Sequence, residues 1–348
     1  MSPGSNERVL RAEPLEPAEH ELWDRFAMSS GGGAVFHTSW WYRGWGTSPT
    51  IHVLRDANGD IQGGICYALA RRLGSRVIAR PPLTAQNGPL FAPCRESGRH
   101  RQNTENKRTV LSLIHGLPRL GGYDFVLRPC DTDVMPFLWN GFDTLVGYTY
   151  FIPQTERETW LQHASKTQRW SVRRAAREAA EKGFGFVDKP PLGEILQLLK
   201  ETATFKGYRF STVEQRTTIW WQMVEEHGAG RAYLLRDSHG HPACGALLLY
   251  DGRTAYYAAG GIRNDLRKGS LVNVLMIHRM IEDAHAMGLD FDFEGSILPG
   301  VEGFFRSLGG ELRPVFRVVK FPSPLLCVGW QVYRYFTRHG RREWVWYE

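Results

Sequence analysis

The sequence has no apolar run of the ~18–20 residues that a helix needs to cross a bilayer, so no transmembrane segment is expected. Its five cysteines, Cys66, Cys94, Cys130, Cys244 and Cys327, are scattered, odd in number and free of any Cys-x-x-Cys spacing. That argues against a disulfide framework or a zinc knuckle and predicts a reduced, cytoplasmic protein. The opening residues, MSPGSNERVLRAEP, hold no hydrophobic stretch of the secretory kind, and no such signal is expected. There is no Gly-x-Ser-x-Gly elbow and no cysteine in a recognisable Cys/His setting, which sets hydrolase and thiol chemistry aside. The glycines at 31–33 are not followed by Lys-Ser/Thr, so they read as a loop and not as a phosphate cradle. What remains is a chain of 348 residues, long enough for two cores, with a 12% aromatic share and a formal charge of +7. That charge suits an anionic partner such as a nucleotide, a coenzyme, tRNA or a membrane surface, although plain solubility is the commoner reason for a charge of this size.

The densest pattern lies in residues 254–310. Ala255–Ala259 reads as a buried strand that Gly260 and Gly261 break, followed by a turn carrying Arg263, Arg267 and Lys268. Ser270 stands at a helix N-cap position, and Leu271, Val274, Leu275, Met280, Ile281 and Ala284 mark the buried side of a helix that Gly288 ends. Asp290–Glu294 then alternates Asp-Phe-Asp-Phe-Glu, which on a strand places Asp290, Asp292 and Glu294 on one face. A basic turn feeding a helix N-terminus is a natural anion site, because free N–H groups and the helix dipole both favour a phosphate. An ordinary crossover helix with a solvated turn is the plainer alternative. His278, Glu282 and His285 share a helix, but their spacing fits no known metal site, and no metal is expected.

Earlier in the chain, Glu158–Lys182 reads as one long helix with Lys166, Arg169, Arg173 and Arg177 in a basic stripe, facing either solvent or an anion. Phe36–Trp45 is an aromatic cluster suited to a core. A short internal repeat bears on the architecture. Leu54-Arg55-Asp56, Gly59 and Gly64 recur with the same spacing as Leu235-Arg236-Asp237, Gly240 and Gly245. Gly122-Tyr123-Asp124-Phe125 is later echoed by Gly288-Leu289-Asp290-Phe291. The shared order implies a duplicated strand–turn–strand and helix–strand unit, the second copy alone carrying the basic turn and the carboxylate strand. Residues 1–152, 153–322 and an aromatic, basic tail at 323–348 are the expected divisions. The tail is open to two readings, a helix packed on the body or a peripheral contact with an anionic membrane.

Several segments resemble FemABX-type acyltransferases of the GNAT superfamily, including relatives labelled BioF2-like or CelD-like. Ser165-Lys166-Thr167-Gln168-Arg169, with Arg174-Ala175 and Lys182-Gly183, is similar to their S-x-K-x-R…A…K-G helix. Phe291–Ser296 resembles their D-F-x-G-S strand end, and Gly300–Gly310 the segment that follows it. FHTSWW and GYTYFI also suit the group. The resemblance implies an α/β (α+β) fold of two tandem GNAT-like domains, with mixed sheets flanked by helices. It implies transfer of an acyl or aminoacyl group to an amine, as in cell-envelope or polysaccharide biosynthesis. No permanent cofactor follows; acyl-CoA or aminoacyl-tRNA would be the co-substrate, tRNA a partner, and the inner face of the membrane a working place. Two departures stand out. Arg267-Lys268-Gly269-Ser270 has one glycine where coenzyme A loops carry two small residues, and Arg306 replaces a common lysine. On this footing Glu294 is the candidate base and Arg306 a charge stabiliser. Arg267, Lys268, Gly269, Ser270 and Tyr256 are candidates for the donor, and Lys166, Arg169, Lys206 and Asp292 for the substrate. Backbone N–H groups near Tyr256–Ala259 would serve the oxyanion. The alternative from another class is a catalytically silent GNAT-like protein that binds nucleotide-linked or tRNA ligands.

Overall fold

A computed structural model describes residues 12–29, 33–92, 98–206, 214–268, 271–295 and 299–339. Among these, no helix is long and apolar enough to cross a membrane. The chain forms two compact units, residues 1–146 with 315–348 and residues 147–314.

The first unit opens with β1 (Glu13–Pro14), α1 (His20–Ser29) and α2 (Ser39–Gly44). The expected aromatic cluster is indeed core, with Trp40, Trp41, Tyr42 and Trp45 all buried. Next come β2 (Pro49–Arg55), β3 (Ile61–Arg72), β4 (Ser75–Ala79) and β5 (Leu90–Phe91). They pair antiparallel in the order β1-β2-β3-β4, with β5 on β3. Then α3 (Arg99–Gly116) leads to β6 (Tyr123–Val126), whose entrance bridges β4 in parallel at Val77↔Gly122. The short α4 (Met135–Trp139) follows.

The second unit begins within β7 (Asp143–Ile152) and continues with α5 (Trp160–His163), α6 (Lys166–Glu181), β8 (Gly185–Phe186), α7 (Leu192–Phe205) and α8 (Glu214–Glu226). The meander β9 (Gly230–Arg236), β10 (Pro242–Tyr250) and β11 (Thr254–Ile262) comes next. After it, α9 (Val272–Ala286) crosses over to β12 (Asp290–Asp292), parallel to β11, and α10 (Pro299–Ser307) follows. Strand order is β7-β12-β11-β10-β9-β8. One face of α9 buries Met276, Ile277, Met280, Ile281 and Ala284 against Phe291, Phe293 and Ala255. The chain then returns to the first unit. In β13 (Glu311–Lys320), Arg317–Lys320 pairs antiparallel with β6, and α11 (Pro324–His339) comes last. Residues 315–339 group with the first unit, where Arg317–Lys320 pairs with β6.

The repeat in the sequence is a repeat in space. In each unit an antiparallel meander is followed by a helix and a strand parallel to its last member. The turns match in detail. Asp56 accepts from the Asn58 and Asp60 N–H groups, and Asp237 from those of His239 and His241. Arg55 donates to the Gly59 carbonyl and to Glu19, as Arg236 does to the Gly240 carbonyl and to Glu194, at 2.9 and 2.7 Å against 2.5 and 2.8 Å. Gly64 and Gly245 each let a helix side chain lie against the strand, Trp23 in one unit and Ile195 in the other.

Three expectations need correction. Gly260 and Gly261 do not break β11, which runs on to Ile262. A Cβ at Gly261 would overlap the Leu198 carbonyl group, so the glycine lets the α7 backbone rest directly on the strand. The helix expected over 158–182 divides at Ala164–Ser165, where the Ser165 hydroxyl accepts the Gln168 N–H as an N-cap. The carboxylate strand ends at Asp292, and Glu294 lies beyond it. The expected N-cap Ser270 and its neighbour Gly269 lie outside the described residues; α9 itself begins at Val272.

Candidate functional site

β12 is short and held on both sides. Phe291 and Asp292 register with Ala255 and Tyr256 of β11, and with Ile152 and Phe151 of β7. Alternation sends Phe291 and Phe293 into the apolar core, where Phe293 meets Phe305 at 4.8 Å between ring centres. Asp292 therefore points to the other face, 3% exposed. Its Oδ1 accepts the Thr149 hydroxyl, and accepts the Glu294 N–H at 2.8 Å. The chain then turns sharply. Glu294 has φ +60° and Gly295 φ +67°, and a Cβ at Gly295 would overlap the Tyr148 carbonyl oxygen. A non-glycine residue in the left-handed region is strained, and such strain gathers at functional sites. Two carboxyl groups are thus packed together at a strand end. Among the described residues, Glu294 Oε1 is buried without a hydrogen-bond partner. Burial pushes Asp292 up to about 7, against the pull of Thr149, the Glu294 N–H and Arg313. Burial, and then the neighbouring Asp292, hold Glu294 well above the usual carboxylate range.

The meander leaves this end open. β12 keeps company with β11 only from Thr254 to Tyr256. The β10–β11 register shifts between Leu247 and Leu248, which face Ala259 and Tyr257, so Ala258 forms a bulge. The expected oxyanion segment, Tyr256–Ala259, therefore coincides with the place where the strands part.

Arg306, on α10, donates to Glu302 Oε1 at 2.9 Å, and the same oxygen accepts the Tyr150 hydroxyl at 2.6 Å. Its guanidinium is 67% exposed. Tyr150 shares the face of Phe293, opposite Thr149 and Asp292, so no described contact joins Arg306 to Glu294. Lys166 and Arg169 lie in the first turn of α6, Lys166 exposed and Arg169 half-buried. That turn is tied to the end of α10, because the Ser165 N–H donates to the Ser307 carbonyl at 2.9 Å and Gln168 donates to the Ser307 hydroxyl at 3.0 Å. Lys166 and Arg169 therefore lie on a turn that adjoins the turn of α10 carrying Arg306, which is itself paired with Glu302.

The other named residues are placed differently. The Arg267 guanidinium donates to Asn264, Thr202 and the Ile262 carbonyl at 2.8–2.9 Å and lies 4.5 Å over the Phe205 ring. It fastens the turn to α7. Lys206, exposed, stands beside it at the end of α7, and Lys268 is exposed in the turn. Tyr256 donates to Asp251 at 2.8 Å and is buried, which pushes its phenol well up. His278 pairs with Glu282 at 3.2 Å. Sequence reasoning missed Thr149, Tyr150 and Glu302. The alternation in GYTYFI could have found the first two, since it sends Thr149 and Tyr150 to opposite faces.

Residues 166–306 match the model of an acetyltransferase (GNAT) domain. FemX shares the fold, with a TM-score of 0.63 at 14% identity over 90% of this chain and 98% of its own. So does L-PGS from Bacillus licheniformis, at 0.55 and 13% over 92% and 97%. The C-terminal domain of a putative lysylphosphatidylglycerol synthetase from Agrobacterium fabrum gives 0.54 and 12% over 87% and 92%. No curated protein sequence matches the chain. Residues 166–306 are thus similar to a GNAT-type acetyltransferase domain, and the chain shares its fold with FemX.

Proposed function

We propose that this protein moves an acyl or aminoacyl group from an activated donor, acyl-CoA or aminoacyl-tRNA, to an amine held at Asp292 and Glu294. The buried carboxyl pair carries this reading, and in particular the partnerless Glu294 Oε1 beside the parting of β11 and β12. An amine arrives at neutral pH as an ammonium ion, and a desolvated carboxyl pair is a strong place to hold one. With both groups raised, the pair keeps a proton at neutral pH, and base catalysis belongs to the pair and not to Glu294 alone. A carboxylate near 7 is well matched to general-base work. It would take one proton from the ammonium, and the freed lone pair would form the new C–N bond. The bond from the acyl carbon to sulfur or ribose oxygen breaks as the tetrahedral intermediate collapses; the leaving group takes up the second proton, shed by nitrogen after attack, and the pair returns the first to solvent. Lys166, Arg169 and Arg306, on adjoining turns of α6 and α10, would serve donor phosphates. Both donors belong to the cytoplasm, which is where such an enzyme would act.

The test is turnover by the purified protein, given acyl-CoAs or aminoacyl-tRNAs with an amine panel and read as free thiol or deacylated tRNA. Release that depends on both amine and Asp292 supports the reading. Saturable binding of either donor without release would favour a silent binding protein instead.

A further inference from the structure

We infer that one surface of the first unit, made by the β3–β4 hairpin tip and the outer face of α11, docks on an anionic phospholipid bilayer. The two elements are neighbours. Ser75 and Ser323 hydroxyls lie 3.4 Å apart, and Gly121 contacts both sides, its N–H bonding to the Arg76 carbonyl and its carbonyl accepting the Ser323 N–H. The helix is fastened by one face. Trp330 stacks near Phe321 at 5.2 Å between ring centres and beneath the Arg317 guanidinium, and Leu326 lies against Gly121. The opposite face is apolar and uncovered, with Leu325 68%, Val328 63% and Val332 50% exposed. The spacing of three and four residues aligns them along one side of the helix. At the hairpin tip Leu73 is 67% exposed at φ 46°, between the exposed arginines Arg71, Arg72 and Arg76.

Charge decides the occupant. Residues 61–95 contain no Asp or Glu, and neither do residues 321–342, whereas both stretches are rich in arginine. Arg119, in the loop between α3 and β6 that touches both elements through Gly121, is also exposed. An apolar ridge beside Arg71, Arg72, Arg76 and Arg119, which make no ion pair among the described residues, suits a surface of acyl chains under anionic headgroups. A second copy of the chain would bring the same cations against one another. The inference does not rest on the acyl-transfer reading, since none of these residues belongs to the carboxyl site.

Full-length protein is sedimented with phosphatidylglycerol-containing vesicles and with pure phosphatidylcholine vesicles. The expected result is binding to the first, weakened at high salt, with little binding to the second. Arg71→Glu with Arg72→Glu, and separately Leu325→Glu with Val328→Glu, should each weaken partition by about tenfold or more. All four residues are exposed, so melting should be unchanged, and a melt of each variant checks this. Equal binding to both vesicles, or variants that bind as well as the parent, would overturn the inference. So would a dimer in sedimentation that Leu325→Glu dissolves, since the face would then belong to a second copy.

Discussion

Asp292→Asn should make the protein more stable at pH 8, and the gain should disappear in acid. Asparagine keeps an oxygen for the Thr149 hydroxyl and the Glu294 N–H, so the packing is preserved while the charge is removed. The folded carboxyl is raised from 3.8 to about 7, so between those values the folded chain binds more protons than the unfolded one. Stability contributed by the protonated group is then complete below 3.8 and is lost as pH rises through 7. Each pH unit between the folded and unfolded values is worth about 1.4 kcal/mol, so the loss approaches about 4 kcal/mol, of which roughly 2–3 accumulates between pH 5 and pH 8. Because Asp292 and Glu294 titrate together, the slope belongs to the pair. Urea denaturation of parent and variant at matched pH values reads the difference directly, provided the m-values agree. The curves should converge near pH 4 and separate above pH 6, with the variant ahead. Thr149→Val, which removes a donor to Asp292, should steepen the parental slope. A variant that is less stable at pH 8 would refute the reasoning. It would mean that Asp292 is ionised in the fold and held by Thr149, the Glu294 N–H and the nearby Arg313.

Glu294→Gln should lower turnover by ~100-fold or more while donor affinity stays near the parental value, because the loss falls on proton transfer and not on ground-state binding. Steady-state kinetics separates the two. Lys166→Ala with Arg169→Ala should weaken binding of a phosphate-bearing donor and leave the melting temperature alone, and unchanged affinity would return that turn to solvent. Gly261→Ala should cost about 2 kcal/mol in chemical denaturation, since a methyl group there meets the Leu198 backbone and lifts α7 off β11.

Much of the fold was legible because it is written locally. The Leu-Arg-Asp turn repeats because one Asx-type turn serves both hairpins, and Leu192–Phe205 is marked by helical periodicity that the structure follows to the residue. Boundaries set by distant packing were not legible. Gly260 and Gly261 look like breakers in a one-dimensional reading, and only the approach of α7 shows why a strand should lack side chains there. Residues 315–320 follow the second half in sequence, and nothing local announces that Arg317–Lys320 pairs with Tyr123–Val126, nearly two hundred residues earlier. Within the site, alternation found Asp292, while the left-handed turn at Glu294 hid the nearness of the two carboxyl groups. Arg267 looked like a phosphate ligand because nothing in the sequence announces Thr202 and Phe205 as its partners.

The duplication itself bears on why the carboxyl pair is there. Aligning Gly122-Tyr123-Asp124-Phe125 with Gly288-Leu289-Asp290-Phe291 puts Val126 opposite Asp292 and Arg128 opposite Glu294. Val126 is fully buried, as Asp292 nearly is, so this strand position packs well with an apolar side chain. Arg128 is buried too, but it forms an ion pair with Asp131 at 2.6 Å. The first copy thus satisfies the same two positions with a hydrophobe and a paired charge. The second copy buries two like groups side by side, one of them with an oxygen that has no hydrogen-bond partner among the described residues. Burial of an unmatched polar group costs about 1–3 kcal/mol, and packing within this fold does not require it, as the first copy demonstrates. A cost that architecture does not impose is best accounted for by a partner that arrives from outside. A cationic amine, able to donate to Glu294 Oε1 and to surrender a proton to the pair, has the charge and the hydrogens that the site lacks.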